Sequence, residues 1–197
     1  MNIKSTLVLG LILAISSCNR QADDIIVPRE PLPATTFTQY RILKNQHYAE
    51  QSAYASVEYE ELKFRVKFDS TAVYSTIIPA NQYDINKLYG FADNDAHHHQ
   101  FSARIGWRWS DEALRLFGYI YNNGVVSYEE LGTISIGAEH YCSIKITTST
   151  YIFLVDGITT IMPRLSTTAK AKGYKLFPYF GGDETAPHDI SIWISEN

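Results

Sequence analysis

Two arginines and three tyrosines have the types and spacing needed to form a ligand-binding surface. Arg104 and Arg108 share the polar side of one predicted strand, which alternates with an apolar side. Tyr119 and Tyr121 share one face of the next predicted strand, and Tyr179 could join them from a later strand. Aromatic rings can stack on pyranose rings while arginines hydrogen-bond sugar hydroxyl groups. These five residues are the candidate glycan site; the alternative is that they are ordinary outer-face residues or a structural arginine–aromatic stack.

The densest polar cluster of the chain begins at Asp93 and ends with three consecutive histidines, on a predicted loop. Imidazole is a common zinc ligand, so His97 and His99 are candidate metal ligands. Because consecutive residues near a strand point to opposite sides, we expect at most two of the three histidines to converge on one ion. Further ligands could come from Asp93, Asp95 or the distant His188. In the alternative, one histidine packs inward or caps the loop and the others face solvent.

A second acidic loop connects the last two predicted strands. Asp183 and Glu184 in this loop could supply oxygen ligands to Ca²⁺, although the spacing of a helix–loop–helix calcium site is absent. The alternative is a structural loop whose acidic side chains accept hydrogen bonds from backbone amides. We therefore expect no cofactor, with Ca²⁺ as the alternative.

The elements that must position these residues are strands. From Leu62 to Phe68 apolar and charged residues alternate, as expected for strands with one buried face. Asn123-Gly124 and Asp156-Gly157 separate such runs, and these pairs favour the positive φ angles of tight hairpins. Only residues 84–89 could form a helical turn. About a dozen strands at regular spacing predict an all-β domain over residues 37–197, a two-sheet antiparallel β-sandwich of jelly-roll type.

Four segments of the predicted domain are distinctive: residues 175–190 (KLFPYFGGDETAPHDI), 88–93 (LYGFAD), 97–99 (HHH) and 105–109 (IGWRW). They resemble a group of uncharacterised bacterial lipoproteins that are similar to concanavalin A-like jelly rolls. That fold is shared by legume-type lectins, laminin G-like domains and several polysaccharide lyases and glycosidases. The resemblance covers roughly residues 37–197 and implies a concanavalin A-like jelly roll.

Catalytic signatures are incomplete, so enzymatic activity is uncertain and binding is favoured. A glycosidase needs two carboxylates, for which Glu58 with Glu60, or Glu129 with Glu130, are candidates. The Glu-x-Asp-x-x-Glu motif of jelly-roll glycosidases is absent. A uronate lyase needs a cation for the substrate carboxylate and a base for the C5 proton. Arg104 with a nearby histidine or tyrosine could supply both, although the Gln-Ile-His type motif of jelly-roll alginate lyases is missing.

The N-terminus predicts export and lipidation. Residues 1–17 contain Lys4, a short apolar run and small residues before Cys18, which is typical of a signal peptide rather than a membrane-spanning helix. The run Ile15-Ser-Ser-Cys18 resembles the lipobox of bacterial lipoproteins, which implies lipidation of Cys18. Residues 18–36 are rich in proline and polar residues and predict a flexible tether. Asp23 and Asp24 resemble a surface-export signal, so we expect an outer-membrane anchor and exposure at the cell surface.

Charge and cysteine content narrow the partners. The chain carries a formal net charge of −4 and has no basic run, so we expect no nucleic-acid partner and membrane contact only through the lipid. With Cys18 lipidated, Cys142 is expected to be an inert thiol in the core. The sequence thus predicts a membrane-anchored lipoprotein with a carbohydrate-binding β-sandwich. The alternatives are a polysaccharide lyase or glycoside hydrolase of jelly-roll type, and a structural or assembly lipoprotein with a protein partner.

Overall fold

A computed structural model of the chain describes residues 36–196. The predicted signal peptide, the lipidation site Cys18 and nearly all of the predicted tether lie outside the described residues. Within residues 36–196, no helix is long and apolar enough to cross a membrane.

The described residues form twelve strands and two short 3-10 helices. The helices are Ser70–Ala72 and Pro79–Tyr83. The strands are β1 (Thr38–Ile42), β2 (Ser56–Tyr59), β3 (Glu61–Phe68), β4 (Asn86–Ala92), β5 (Phe101–Ser110), β6 (Ala113–Asn122), β7 (Val125–Ile134), β8 (Glu139–Ile146), β9 (Thr150–Val155), β10 (Ile158–Pro163), β11 (Ala171–Leu176) and β12 (Ile190–Glu196).

The strands form two six-stranded antiparallel sheets. We call the sheet with the order β2-β11-β4-β5-β6-β7 the site sheet, and the sheet with the order β1-β12-β3-β8-β9-β10 the back sheet. The predicted two-sheet antiparallel β-sandwich is therefore confirmed. The helical turn predicted at residues 84–89 is wrong, because most of that segment belongs to β4. Residues 86–89 form a strand because β4 pairs with β5 and β11 and is buried in the interior. These contacts outweigh the local preference of the segment for a helical turn.

Alternation along the strands produces the core between the sheets. On β3 the predicted apolar face is buried, with Phe64 and Phe68 completely inaccessible, and on β5 the same holds for Ile105 and Trp107. Cys142 is also completely buried, and burial raises the pKa of its thiol, in agreement with an inert core thiol. The buried inner face of β5 thus fixes this strand in the sandwich, and the opposite face of the same strand carries Arg104.

The predicted hairpin turns are confirmed by the backbone angles. Asn123 and Gly124 have φ of 50° and 81°, and Asp156 and Gly157 have φ of 46° and 90°. Both central residues of such a two-residue turn must adopt positive φ, which asparagine, aspartate and glycine tolerate best. The Asn123-Gly124 turn sets the register between β6 and β7. This register determines which residues of β7 lie beside Tyr119 and Tyr121 on β6.

Candidate functional site

A cleft of about 570 Å³ opens on the outer face of the site sheet. Its floor lies where β11, β4, β5 and β6 run side by side, and the turn before β5 and the segment after β11 contribute its sides. The lining residues are mostly basic or aromatic: Tyr48, Ser52, Lys87, His97, His98, His99, Arg104, Tyr119, Tyr121, Lys175, Leu176, Phe177, Pro178 and Tyr179.

Arg104 lies at the floor of the cleft and is only 6% exposed. Its neighbours across the sheet are Gly90 on β4 and Tyr119 on β6. A Cβ at position 90 would come within 2.6 Å of the Arg104 Cα and 2.7 Å of its Cγ, so a larger residue than glycine would clash with Arg104. Among the residues that the structure describes, the buried Nε of Arg104 has no hydrogen-bond partner. Burial lowers the pKa of Arg104 to about 10, so the guanidinium remains charged at neutral pH.

Lys87 adds a second cation to the cleft. A β-bulge interrupts the pairing of β4 with β5 between Lys87 and Tyr89, and such bulges change the direction of a side chain. The Lys87 ammonium lies 4.2 Å from the centroid of the Tyr119 ring and donates to the Ile85 carbonyl. Burial, and then the charge of Arg104, lower the pKa of Lys87 to about 8. Its charge is therefore present at neutral pH and lost in mildly alkaline solution.

The predicted tyrosines do meet Arg104 in the cleft. The Tyr119 ring centroid lies 5.9 Å from the Arg104 Cζ, and the Tyr119 and Tyr121 ring centroids are 5.9 Å apart. Tyr179 comes from the segment after β11, whose main chain pairs with β4, and its ring stacks on His47 at 5.2 Å. The structure thus brings Arg104, Tyr119, Tyr121 and Tyr179 to one cleft.

Arg108 does not line the cleft, although it shares a face of β5 with Arg104. Four residues along a strand separate the two by about 13 Å, at ~3.3 Å per residue. Its guanidinium donates to the Tyr83 carbonyl at 2.8 Å and to the Ser110 hydroxyl at 3.1 Å, and it lies 4.7 Å from the Phe117 ring centroid. The prediction that both arginines belong to one site is corrected, because sharing a face does not mean sharing a cleft.

A buried ion pair anchors the turn that carries the three histidines. Asp93 follows β4 and accepts hydrogen bonds from the Arg164 Nε at 2.8 Å and the Tyr151 hydroxyl at 2.7 Å. Both side chains of the ion pair are completely buried. Burial alone would raise the pKa of Asp93, but the hydrogen bonds from Arg164 and Tyr151 lower it overall. Asn94 and Asp95 then adopt positive φ and reverse the chain towards the cleft.

The three histidines converge at one side of the cleft. One ring nitrogen from each of His97, His98 and His99 lies within 4.8 Å of the others. The Tyr174 hydroxyl lies 2.8 Å from the His98 Nδ1 and accepts the His98 backbone N–H at 3.1 Å. Burial, and then the Arg104 guanidinium, lower the pKa of His98 to about 4. Burial, and then the charge of His97, lower the pKa of His99. At neutral pH the His98 imidazole is therefore uncharged.

The expectation that at most two histidines could converge is wrong, because they lie in a turn and not in the alternating geometry of a strand. The other residues considered as ligands do not join them. Asp93 is bound to Arg164, Asp95 pairs with Lys172 at 2.9 Å, and the His188 Nε2 lies 2.9 Å from the Thr71 carbonyl. The three imidazoles are the described residues that could hold a transition metal in this cleft, and Arg104 beside them would oppose a cation.

The acidic loop after β11 lies outside the cleft. Glu184 accepts hydrogen bonds at 2.8 Å from the backbone N–H groups of Ile77 and Ile78 and one at 3.0 Å from the Asn81 amide. The two backbone bonds lower the pKa of this carboxyl. Glu184 thus ties its loop to the segment before the second 3-10 helix, as in the structural alternative, and neither it nor Asp183 faces the histidines.

No aspartate or glutamate is among the described residues that line the cleft. Three of the four candidate glycosidase carboxylates pair with cations outside the cleft: Glu60 and Glu58 lie 3.1 Å and 3.9 Å from the Lys170 ammonium, and Glu130 accepts from Arg115 at 2.8 Å. The described residues of this cleft therefore do not form the pair of carboxylates that a glycosidase uses. Its cations, phenols and neutral imidazole suit an anionic ligand instead.

Sequence reasoning missed several cleft residues, among them two lysines and a tyrosine. Lys87 and Lys175 looked like ordinary charged residues of two strands, and Tyr48 lies in a segment without alternation. The Lys175 ammonium donates to Glu196, so part of its charge is already neutralised. The bulge that directs Lys87 has no sequence signal of its own. In contrast, Gly90 opposite Arg104 indicated a close approach between two strands, and this signal could have been recognised in the sequence.

Comparison with known proteins is informative at the level of structure. No protein-family model matches the chain, and no curated protein matches its sequence significantly. A glycoside hydrolase family 16 endo-glucanase from Bacteroides ovatus, solved with a bound ligand, has a TM-score of 0.57 at 13% identity, covering 83% of this chain and 81% of that chain. Alginate lyase AlyC3 has a TM-score of 0.54 at 10% identity, covering 82% and 74%. The laminarinase catalytic domain from Thermotoga petrophila RKU-1 has a TM-score of 0.52 at 13% identity, covering 81% and 75%.

These similarities define the class of the fold. With two antiparallel sheets and this coverage, the domain is a concanavalin A-like jelly roll, as predicted. Fold similarity at such low identity says nothing about activity, which has to be argued from the cleft.

Proposed function

We propose that this domain binds an acidic polysaccharide, with the carboxylate of a uronate residue on Arg104. The observation that carries the proposal is the buried guanidinium whose Nε has no partner among the described residues, at the floor of an open cleft. A buried cation without an acidic partner is costly, and a carboxylate on the cleft side of the guanidinium would form a charge-assisted hydrogen bond with it. Lys87 would add a second positive charge in the same low-dielectric surroundings.

The aromatic residues of the cleft fit the rest of such a ligand. Tyr119, Tyr121 and Tyr179 offer flat apolar faces for a pyranose ring and hydroxyl groups for its polar substituents. The comparisons support a carbohydrate ligand, since the neighbours are named as glucanases and an alginate lyase, and one structure of AlyC3 is a complex with dimannuronate. The protein-partner alternative remains a prediction without a supporting contact.

A direct test compares binding of uronate oligosaccharides with binding of their carboxyl-reduced, neutral counterparts by isothermal titration calorimetry. Arg104→Met should abolish most of the affinity for the acidic ligand. Arg65→Met is the matched control, because Arg65 lies on β3 of the back sheet. Equal binding of acidic and neutral ligands, or equal losses in the two variants, would contradict the proposal.

The location of the domain is part of the proposal. Lipidation of Cys18 would hold the sandwich outside the cytoplasm, on the outer membrane and at the cell surface, where polysaccharides are encountered. Labelling of cells with a fatty-acid analogue should mark the native protein and not Cys18→Ala. Digestion of intact cells by an added protease should remove the domain if it is surface-exposed, and full protection would place it in the periplasm.

Cleavage of the bound polymer is the second candidate function, favoured by an uncharged imidazole and several phenols beside Arg104. In a β-elimination, a base takes the C5 proton, the C4–O4 bond breaks, the electron pair forms a C4=C5 double bond, and the leaving O4 accepts a proton. His98 and Tyr121 are the candidates for these proton transfers, with Arg104 stabilising the charge that develops on the carboxylate. Ultraviolet absorbance of the unsaturated product, measured with acidic polysaccharides, separates cleavage from binding.

A further inference from the structure

Tyr128 on β7 is a large aromatic side chain that the fold leaves in water. β7 is the last strand of the site sheet, and its residues from Val125 to Glu130 are all exposed. Tyr128 is 60% exposed. Burial of a tyrosine ring is favourable, so a ring left this open gains little for the stability of the domain.

The position of Tyr128 continues the floor of the cleft. Tyr128 is paired with Tyr119 across β6 and β7, and Tyr119 is paired with Arg104 across β5 and β6. Directly paired residues of antiparallel strands project from the same face, so the three side chains form a row across three neighbouring strands. With strands about 4.8 Å apart, the row leads from Arg104 to the edge of the site sheet.

The orientation of the ring suits a stacking ligand. The Tyr119 and Tyr128 rings are parallel within 7°, with centroids 6.3 Å apart. Val126, two residues earlier on the same strand face, is 42% exposed and paired with Tyr121. The charge of Glu130, two residues later on that face, is paired with Arg115 at 2.8 Å. Tyr128 thus has an apolar neighbour on one side along its strand face, and the acidic group on the other side is paired.

We infer that Tyr128 forms a second sugar-binding subsite, which holds the unit of the polysaccharide beyond the one bound at Arg104 and Tyr119. The inference rests on the proposed function and adds the course of the chain, which runs across the strands of the site sheet towards β7. It also requires the ligand to be a polymer, since a single sugar on Arg104 would not reach the ring of Tyr128.

The test is a length series of uronate oligosaccharides titrated into the purified protein and its variants by calorimetry. In the native protein, affinity rises with length until Tyr128 is covered. Tyr128→Ala should weaken binding of the longer oligosaccharides by about 3- to 10-fold and leave the shortest binding oligosaccharide unchanged, whereas Tyr128→Phe should retain the native values. Tyr141→Ala on the back sheet is the control for loss of a surface tyrosine.

The two proposals fail in different ways. A length dependence that survives in Tyr128→Ala, or equal weakening of short and long oligosaccharides, overturns the subsite and leaves binding at Arg104 intact. If no uronate oligosaccharide of any length binds the native protein, the proposed function is overturned and the subsite with it. Thermal unfolding of each variant confirms that the exposed substitution has not disturbed the fold.

Discussion

Replacement of Arg104 by methionine should weaken ligand binding and leave the domain as stable as before, or more stable. Methionine is unbranched and flexible, so it can replace the aliphatic part of the arginine without a new polar group. The variant keeps Gly90 opposite the side chain and Tyr119 beside it. A residue whose replacement lowers the affinity but not the stability contributes to ligand binding and not to the stability of the fold.

The size of both effects follows from the guanidinium of Arg104, which can bind the ligand from the cleft and whose Nε is an unpaired buried donor among the described residues. A hydrogen bond between a charged donor and a carboxylate contributes about 1.5–3 kcal/mol, so loss of a bond in the upper part of that range, ~2–3 kcal/mol, would weaken binding about 30- to 150-fold. In the free protein, an unsatisfied buried donor costs about 1–3 kcal/mol, and its removal relieves that cost. We expect an unchanged or higher Tm for Arg104→Met.

Calorimetric titration with a uronate oligosaccharide and thermal unfolding of the free protein measure the two effects separately. Arg65→Met should change neither, because Arg65 is half exposed on the other sheet. A large drop in the stability of Arg104→Met would show that Arg104 is a structural residue, and unchanged affinity would show that it does not contact the ligand. Either result would refute the reasoning.

Three further predictions concern the surroundings of Arg104. Because the pKa of Lys87 is lowered to about 8, affinity for an anionic ligand should fall as the pH rises through about 8. The variant Lys87→Gln should bind this ligand more weakly than the native protein. In titrations from pH 6 to 9, its affinity should no longer depend on pH. Asp93→Asn leaves the buried charge of Arg164 uncompensated and should lower the free energy of unfolding by about 3–5 kcal/mol in denaturant titrations. Asp95→Asn should cost little, because Asp95 is exposed and asparagine tolerates its positive φ. Gly90→Ala should displace β5 at Arg104 and lower both affinity and stability, because the added Cβ would clash with the Ala103 carbonyl oxygen and lie 2.6 Å from the Arg104 Cα. Calorimetry beside thermal unfolding measures both effects, and native-like affinity would contradict the role given to the glycine.

The architecture could be predicted from the sequence because its signals are local. Alternation on β3 and β5 and the turns at Asn123-Gly124 and Asp156-Gly157 each concern a few neighbouring residues. The turn between β5 and β6 gave no such signal, although Asp111 has φ of 52° and the next residue also adopts positive φ. There the pairing of two long strands imposes the turn on residues that tolerate it less well.

The site could be predicted only in part, because it depends on contacts between distant segments. The face shared by Arg104, Tyr119 and Tyr121 followed from period two and proved to line the cleft. The same rule placed Arg108 with them and failed, since it gives the face of a residue and not its position along the strand. The turn that carries the histidines follows Asp93, whose ion pair with Arg164 joins two residues 71 apart in the sequence. A sequence pattern carries no information on such a pair.

The most direct test of the central claim is the change in affinity when only the carboxylates of the ligand are removed. The purified native protein is titrated with an oligouronate and with its carboxyl-reduced form, which has the same linkages and length. We expect measurable affinity for the acidic oligosaccharide and a loss of about 30-fold or more for the neutral one. Equal affinity for both, or tighter binding of the neutral oligosaccharide, would contradict the assignment of the Arg104 cleft to an acidic polysaccharide.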